Sequence, residues 1–340
     1  MAKFTIRELA KLAGVSQTAV SFVLNGKPGV SEKTRQTVLE IIEQTNYKSD
    51  RNSKRLALKR SFNICLAYLE TSSPFDDLFY FEVAKGMLCR NTEYGYNIVL
   101  CKIEVENNEY RLPEVITSRD TDGVIIFQDV NPQIIGDIES YNVPCVVVDS
   151  HTSSGQISSV RYDAEKYTYE GIKYLIEKGH SKIGIISSSY IPEFWAQSYA
   201  GYTRALSEHN LMINPTWVQS TAVSEETAYQ CMENVIRFGS LPSAFFCGGD
   251  IFAIGAMRCL KDHGIVVPDD VSIIGVDNIM LGRYVDPPLT TIDLNKLEMG
   301  EIAISLLTKK IDGEPCESVV LNTAGIISRG SVSELQRKDI

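Results

Sequence analysis

The chain has 340 residues, 44% of them apolar and 22% charged, with a formal net charge of -10. That length exceeds one ordinary core, and the composition is that of soluble globular proteins, which excludes fibrous, disordered and membrane-embedded classes. The start, MAKFTIREL, has no apolar h-region and no window approaches eighteen uninterrupted apolar residues, so a cytoplasmic protein with no membrane partner is predicted.

The charge is segregated along the chain. Residues 1–60 hold twelve Lys or Arg against five Asp or Glu, net +7, which leaves 21 against 38, net -17, for residues 61–340. A positive head on an acidic chain concentrates polyanions at one end and repels them at the other.

Thr5-Ile6-Arg7-Glu8 fits a capping box, and Ile6, Leu9, Ala10 and Ala13 repeat at helical spacing until Gly14 ends the helix. Ser16 offers the next N-cap, and Ala19, Val20, Val23 and Leu24 form the inward stripe of a second short helix that stops at Asn25-Gly26. So tight a turn makes the two helices cross steeply, the helix-turn-helix geometry that presents the second helix to the major groove. Val30-Ser31-Glu32 starts a third helix, whose Val38, Leu39, Ile41 and Ile42 close a three-helix core. On the outer side of the second helix, Gln17, Thr18, Ser21 and Phe22 face base edges and phosphates, with Phe22 also readable as a core residue. Lys3, Arg7, Lys33 and Arg35 suit phosphates, contacts that position without reading sequence.

TIRELAKLAGVSQTAVSFVLNGKPGVSEKTRQTVLEIIEQTNY resembles, over its whole length, the head of the lactose-repressor (LacI/GalR) family of bacterial transcription regulators. A-G-V-S, V-S-x-V-L-N and a third helix in register are hard to meet by chance. The resemblance implies a helix-turn-helix DNA-binding head over residues 1–48, with Thr5, Ser16 and Asn25 joining Gln17, Thr18, Ser21, Phe22 and Lys33 in the DNA-contacting set. It makes residues 49–61 a hinge helix formed on DNA, with Leu56 wedged into a minor-groove step beside Ser53 and Lys54. Two departures, Ser49 for a common proline and Asn52-Ser53 for small apolar residues, leave a plain flexible linker as the other reading.

From residue 62 onward, near-continuous apolar runs at 63–70, 96–104, 122–129, 143–150, 181–189, 243–250 and 272–278 alternate with helical stretches at 80–94, 164–179, 196–210 and 226–238. Such runs are parallel strands buried on both faces, with helices as crossovers. The pattern repeats around residue 163, so the fold class is α/β: an all-α head and a two-lobed, doubly wound parallel-sheet body with a cleft at the strands' carboxyl ends. The eight cysteines form no C-x-x-C pair and read as reduced, small core residues.

FFCGGDIFAIGAMRCLKDHGIVVPDDVSIIGVDNIMLGRYVDPPLTTID, with VPCVVVDS and SVRYDAEKYTYEGIKYLIEKGHSKIGII, is similar to the effector domain of the same family, which shares the fold of periplasmic sugar-binding proteins. The resemblance implies an effector-binding and dimerisation domain over 62–340, with one lobe of about 62–162 and 294–320 and another of about 163–293 and 321–340. It carries effector contacts onto Phe79, Tyr80 and Asp277, with Asp250 beside the cleft. Core packing for Phe79 and Tyr80 and helix capping for Asp250 are the alternatives. The family places an arginine where this chain has Pro192, Phe194, Trp195, Gln197 and Ser198, so Phe194 and Trp195 are assigned to stacking on the ligand.

An enzyme is not expected: Gly248-Gly249-Asp250 lacks a phosphate-binding fingerprint, and no P-loop or G-x-S-x-G elbow occurs. His151, His180, His209 and His263 lack metal-ligand spacing, so no metal or cofactor is expected. A solute-binding transport protein is opposed by the basic head. The expected function is a repressor that binds a pseudo-palindromic double-stranded DNA operator as a homodimer under control of a small-molecule effector, a sugar or related metabolite.

Overall fold

The computed structural model describes residues 4–24, 28–45, 55, 58, 60–69, 73–107, 109–151, 157–222 and 224–335. The chain divides into two compact units, Met1–Phe62 and Asn63–Ile340.

Residues 4–45 of the first unit form three helices, and the described residues Arg55 and Leu58 are helical as well. Helix α1 (Ile6–Ala13) opens with the capping box: Glu8 N–H donates to Thr5 Oγ1 (3.3 Å) and Thr5 N–H to Glu8 Oε2 (2.7 Å). Gly14 ends it at φ 64°, a left-handed turn that a Cβ would strain. Ser16 Oγ accepts the Ala19 N–H (3.1 Å) ahead of α2 (Gln17–Leu24), and Ser31 Oγ accepts the Thr34 N–H (3.2 Å) ahead of α3 (Glu32–Thr45). Leu9, Ala10, Val20, Val23 and Val38 are buried among Ile6, Ala13, Val15, Leu24, Val30, Ile41 and Ile42. Leu39, expected in this core, is instead half exposed, because α3 turns only the 38/41/42 side onto α1 and α2.

The second unit holds two sheets. The first takes β1 (Asn63–Tyr68), β2 (Asn97–Lys102), β5 (Gly123–Phe127), β6 (Cys145–Val148), β7 (Ser159–Tyr162) and β13 (Val319–Leu321), ordered β13-β7-β6-β5-β1-β2 and all parallel. Helices α4 (Leu78–Tyr94), α5 (Glu114–Thr117) and α6 (Pro132–Ser140) are its crossovers, and a small antiparallel hairpin, β3 (Glu104–Glu106) with β4 (Glu109–Arg111), follows β2. The second sheet, ordered β14-β12-β11-β10-β8-β9, joins β8 (Ile183–Ile186), β9 (Val218–Gln219), β10 (Ala244–Cys247), β11 (Ser272–Val276), β12 (Thr290–Asp293) and β14 (Gly325–Ile327), the last antiparallel. Its helices are α7 (Ala164–Glu177), α8 (Pro192–Glu208), α9 (Glu225–Arg237) and α10 (Asp250–Asp262). Helix α11 (Lys296–Ile311) returns the chain to the first sheet, packing on α4, β5 and β6. The chain therefore passes between sheets after β7, after β12 and after β13.

Each of the seven apolar runs read from the sequence contains a strand; six of these lie inside the sheets, where burial on both faces accounts for their legibility, and the seventh, β2, is a half-buried edge strand. The edge strands β9, β13 and β14 are two or three residues long and carry no such signal. Helix α8 begins at Pro192, earlier than the expected 196, because proline suits the first helical position, where no N–H is needed. Three helix pairs meet through glycine: a Cβ on Gly300 of α11 would lie 2.0 Å from Val83 O of α4, one on Gly201 of α8 2.2 Å from Glu165 O of α7, and one on Gly255 of α10 2.1 Å from Glu225 O of α9. All eight cysteines are free thiols; five are buried as expected, two are half-buried and Cys89 is exposed. No helix among the described residues is long and apolar enough to cross a membrane.

Candidate functional site

In the head, Gln17 and Thr18 lie exposed at the start of α2, and Lys33 is exposed on α3. Ser21 is half-buried. Thr5 and Ser16 act as helix caps, so their hydroxyls already hold backbone amides. Phe22 is half-buried with its ring over the turn at Gly29, where an added Cβ would come within 3.0 Å of it. The ring therefore braces the entry to α3 on one side and stays partly exposed on the other. Asn25, Ser53, Lys54 and Leu56 lie outside the described residues.

In the body, the candidate site sits where strands end and the backbone turns left-handed. Gln128 after β5 (φ 68°), Asp149 after β6 (φ 61°) and Asp277 after β11 (φ 107°) all adopt positive φ. Such conformations cost about 1–3 kcal/mol each, and they persist where packing over-determines them, as at ligand sites.

Around Asp149 a buried network forms. Tyr80, in the first turn of α4, donates its hydroxyl to Asp149 Oδ2 (3.0 Å), and its ring packs on Phe127 (4.9 Å between centroids) and edge-on to Phe79 (5.1 Å). His151 Nε2 lies 3.2 Å from Asp149 Oδ1. Asp129 accepts the His151 N–H and the Ser150 hydroxyl, each at 2.6 Å. From the other lobe, α8 brings Gln197, whose Nε2 donates to His151 O (3.2 Å) and whose Oε1 faces His151 Nδ1 (3.4 Å). Phe194, one turn earlier, meets the imidazole edge at 4.9 Å.

The electrostatics follow from burial and crowding. Burial pushes the Asp149 carboxyl up, but the adjacent His151 and the hydrogen bonds from His151 and Tyr80 outweigh it and hold it below the ordinary value. Burial opposes charge on His151, yet Asp149, Asp129 and Gln197 together raise it. Asp277 is pushed well up, first by burial, then by Asp250, with Asp77 and Asp149 adding to it and Lys296 opposing. Burial also raises Asp77, against the N–H groups of Phe79 and Tyr80 that it caps. Burial, then the negative charge of Asp149, Asp77 and Asp277, pushes the Tyr80 phenol well up, and burial, then Asp149, Asp277 and Asp163, does the same to the buried Tyr167.

Lys296 opens α11 and is almost wholly buried. Its Nζ donates to the carbonyls of Asp277, Leu294 (3.2 Å) and Asn278 (3.5 Å), and it lies 3.6 Å from Glu82 of α4. It therefore fixes the Asp277 turn against the first lobe.

Of the six effector positions assigned from sequence, Phe79, Tyr80, Phe194 and Asp277 gather around this network. Two do not. Asp250 is fully buried, accepting the Thr291 hydroxyl (2.6 Å) and the Ile279 N–H (2.8 Å), so both oxygens are committed to holding the 277–291 turn. It is not a cap either, because Gly249 occupies that position. Trp195 stacks on Tyr199 along α8 (5.4 Å, 23° between planes). Successive helical residues point about 100° apart, so with Phe194 on His151 its neighbour is turned aside.

Sequence reasoning missed Asp77, Asp129, Asp149, His151, Gln197 and Lys296. The rule that ligands sit at strand carboxyl ends could have found Asp149, which closes VPCVVVDS. His151 carries no spacing signal, and Gln197 registered only as the absence of an arginine.

The chain is similar to known proteins along nearly its whole length. Residues 5–50 match the family described as bacterial regulatory proteins, lacI family, and residues 172–332 match the periplasmic binding protein-like domain. The HTH-type transcriptional repressor PurR of Haemophilus influenzae (strain ATCC 51907 / DSM 11121 / KW20 / Rd) is 33% identical over 339 residues, covering 97% of this chain and 99% of that protein. The repressor of the same name from Pasteurella multocida (strain Pm70) is 31% identical over 322 residues, 93% of this chain and 95% of its own. Among solved structures, the lac repressor dimer bound to operator and the anti-inducer ONPF shares the fold with a TM-score of 0.76 at 23% identity, covering 98% of this chain and all of that one. A complex of the regulator CelR with cellobiose shares it at 0.70 and 24% identity, covering 97% and 100%.

Proposed function

The chain belongs to the lacI family of bacterial regulatory proteins, and from that membership we propose that it is a cytoplasmic, dimeric repressor that binds a near-palindromic operator and answers to a small molecule held between its two lobes. The observation that carries the effector half is the Asp149–Tyr80–His151–Gln197 network, in which groups from both lobes converge on the strand ends. Phe79, Tyr80 and Phe194 offer faces and edges to a ring or to the apolar side of a sugar, while Asp77 and Asp149 accept its hydroxyl or amino hydrogens and Asp277, pushed well up by burial, can donate as well as accept. The ligand is rich in hydrogen-bond donors, because carboxylates outnumber cations here. In the head, Gln17 and Thr18 read base edges, Lys33 meets phosphate, and Leu56 with Ser53, Lys54 and Asn25 extends the contact along the groove. A two-fold dimer places two such heads in successive major grooves. A ligand changes operator occupancy only by its difference in affinity between the DNA-competent and incompetent states.

The test is to retain fragmented genomic DNA on the purified protein at moderate salt and sequence it. A recurring near-palindrome is the expected result. Its absence both with and without cell extract, which supplies any co-repressor, would refute the operator reading.

A further inference from the structure

The charge on His151 follows from its hydrogen bonds. The imidazole is held between two oxygens, Asp149 Oδ1 at Nε2 (3.2 Å) and Gln197 Oε1 at Nδ1 (3.4 Å). The Gln197 amide is held in that orientation, because its Nε2 donates to the His151 carbonyl (3.2 Å) and so leaves Oε1 toward the ring. A neutral imidazole has one N–H and satisfies one acceptor, whereas two acceptors require both nitrogens to be protonated. The backbone is fixed as well, by the His151 N–H on Asp129 (2.6 Å).

The two sides of this arrangement belong to different lobes. Asp129 and Asp149 follow β5 and β6 of the first sheet, while Gln197 and Phe194 stand on α8 beside the second. We propose that His151 is a lobe latch: as an imidazolium it ties the first lobe to α8 through Gln197, so that closure of the cleft takes up one proton at this residue. The regulatory meaning rests on the effector-cleft reading above; the latch itself does not.

The first-lobe surroundings favour the charged ring. Asp149 faces it directly, Asp129 holds the His151 backbone N–H and adds its charge, Tyr80 is hydrogen-bonded to Asp149, and Asp77 at the start of α4 and Asp277 after β11 add negative potential at Tyr80. Tyr167 of α7 lies in the same field. From α8 the groups on the ring, Gln197 and Phe194, are neutral. Together these raise the His151 value against the effect of burial. The sign is that of a raised base: the contribution to closure is full below the ordinary histidine value of about 6.5 and is lost as pH rises through the higher value in the folded chain. Loss of the Nδ1 proton sets Oε1 against a lone pair, and the lobes part at α8.

The experiment uses the full chain labelled with 15N in its four histidines, with the His151 ring signals assigned by their disappearance in His151→Gln. Ring nitrogen shifts and the radius of gyration by small-angle scattering are followed together across the neutral and mildly alkaline range. The expected result is a doubly protonated His151 at neutral pH and an expansion that tracks its deprotonation. Gln197→Ala should lower that midpoint and bring the expansion to lower pH, and Gln197→Glu, which keeps an acceptor and adds charge, should raise it. A single neutral tautomer at neutral pH overturns the proposal, as does a midpoint indifferent to both Gln197 variants or a radius that ignores the titration. Neither operator nor effector enters these readouts, so failure of the latch is distinct from failure of the effector-site reading, which the ligand response of Asp277→Ala tests.

Discussion

Replacing Asp250 with alanine separates a structural from a ligand-binding carboxylate. Its oxygens hold the Ile279 N–H at 2.8 Å and the Thr291 hydroxyl at 2.6 Å, and the residue is fully buried. Removing them strands the Ile279 N–H in a dry site and leaves the Thr291 hydroxyl only the Ile292 carbonyl at 3.4 Å, and as each buried donor deprived of its acceptor costs about 1–3 kcal/mol, the pair is expected to cost roughly 2–6 kcal/mol. For a unit of this size that lowers the melting temperature by on the order of 10 °C. The assay is thermal unfolding followed by circular dichroism, with Asp250→Asn beside it; the amide keeps one acceptor and is expected to lose less. Thr291→Val made in the Asp250→Ala background should cost less than in the parent, because its hydroxyl has already lost its short bond to Asp250 and keeps only the Asn278 N–H (3.2 Å) and the longer Ile292 carbonyl contact (3.4 Å). An Asp250→Ala protein that melts within about 2 °C of the parent, below the roughly 4 °C or more expected for the lower bound of about 2 kcal/mol, and has lost its ligand response alone would refute the argument and restore Asp250 to the effector contacts.

Gly300→Ala pushes a Cβ to 2.0 Å from Val83 O and 2.8 Å from Met87 N, backbone atoms that cannot turn away, so α4 and α11 must separate at a cost of about 1–3 kcal/mol or more; calorimetry showing an unchanged transition would contradict that close crossing. Asp277→Ala should abolish the ligand response while leaving effector-free operator affinity intact, and a normal dose response would remove it from the site. In the head, Gln17→Ala should relax the preference at one base position by about 1–3 kcal/mol, read by binding to operator variants. Lys33→Ala should instead weaken all DNA alike and make the salt dependence shallower by about one charge, and a sequence-selective loss would move it to the base-reading class.

The head was legible almost residue by residue because its determinants are local. Thr5 and Glu8, Gly14, Ser16 and Ser31 act within one helical turn, where spacing and chemistry together name the element. The apolar strands of the body were legible for a related reason: parallel strands buried on both faces need continuous apolar runs, and these contain few alternatives. Short edge strands and the β3–β4 hairpin have no such requirement and left no mark.

The site divides along the same line. Tyr80, Phe79 and Asp277 came from family register, and Phe194 from what stands in place of an arginine. Sequence alone thus determined the three-helix head, the doubly wound body, the charge division between them and the family. Only the tertiary structure decided which polar groups share the cleft. Asp149, His151 and Gln197 are brought together by two strand ends and a helix of the opposite lobe, 46 residues separating His151 from Gln197. It also decided that Asp250 is spent on the 277–291 turn and that Trp195 faces Tyr199. Helix capping and hydrophobic period act between near neighbours and are written in the order of residues, whereas the partner of a buried polar group is chosen by how the lobes pack.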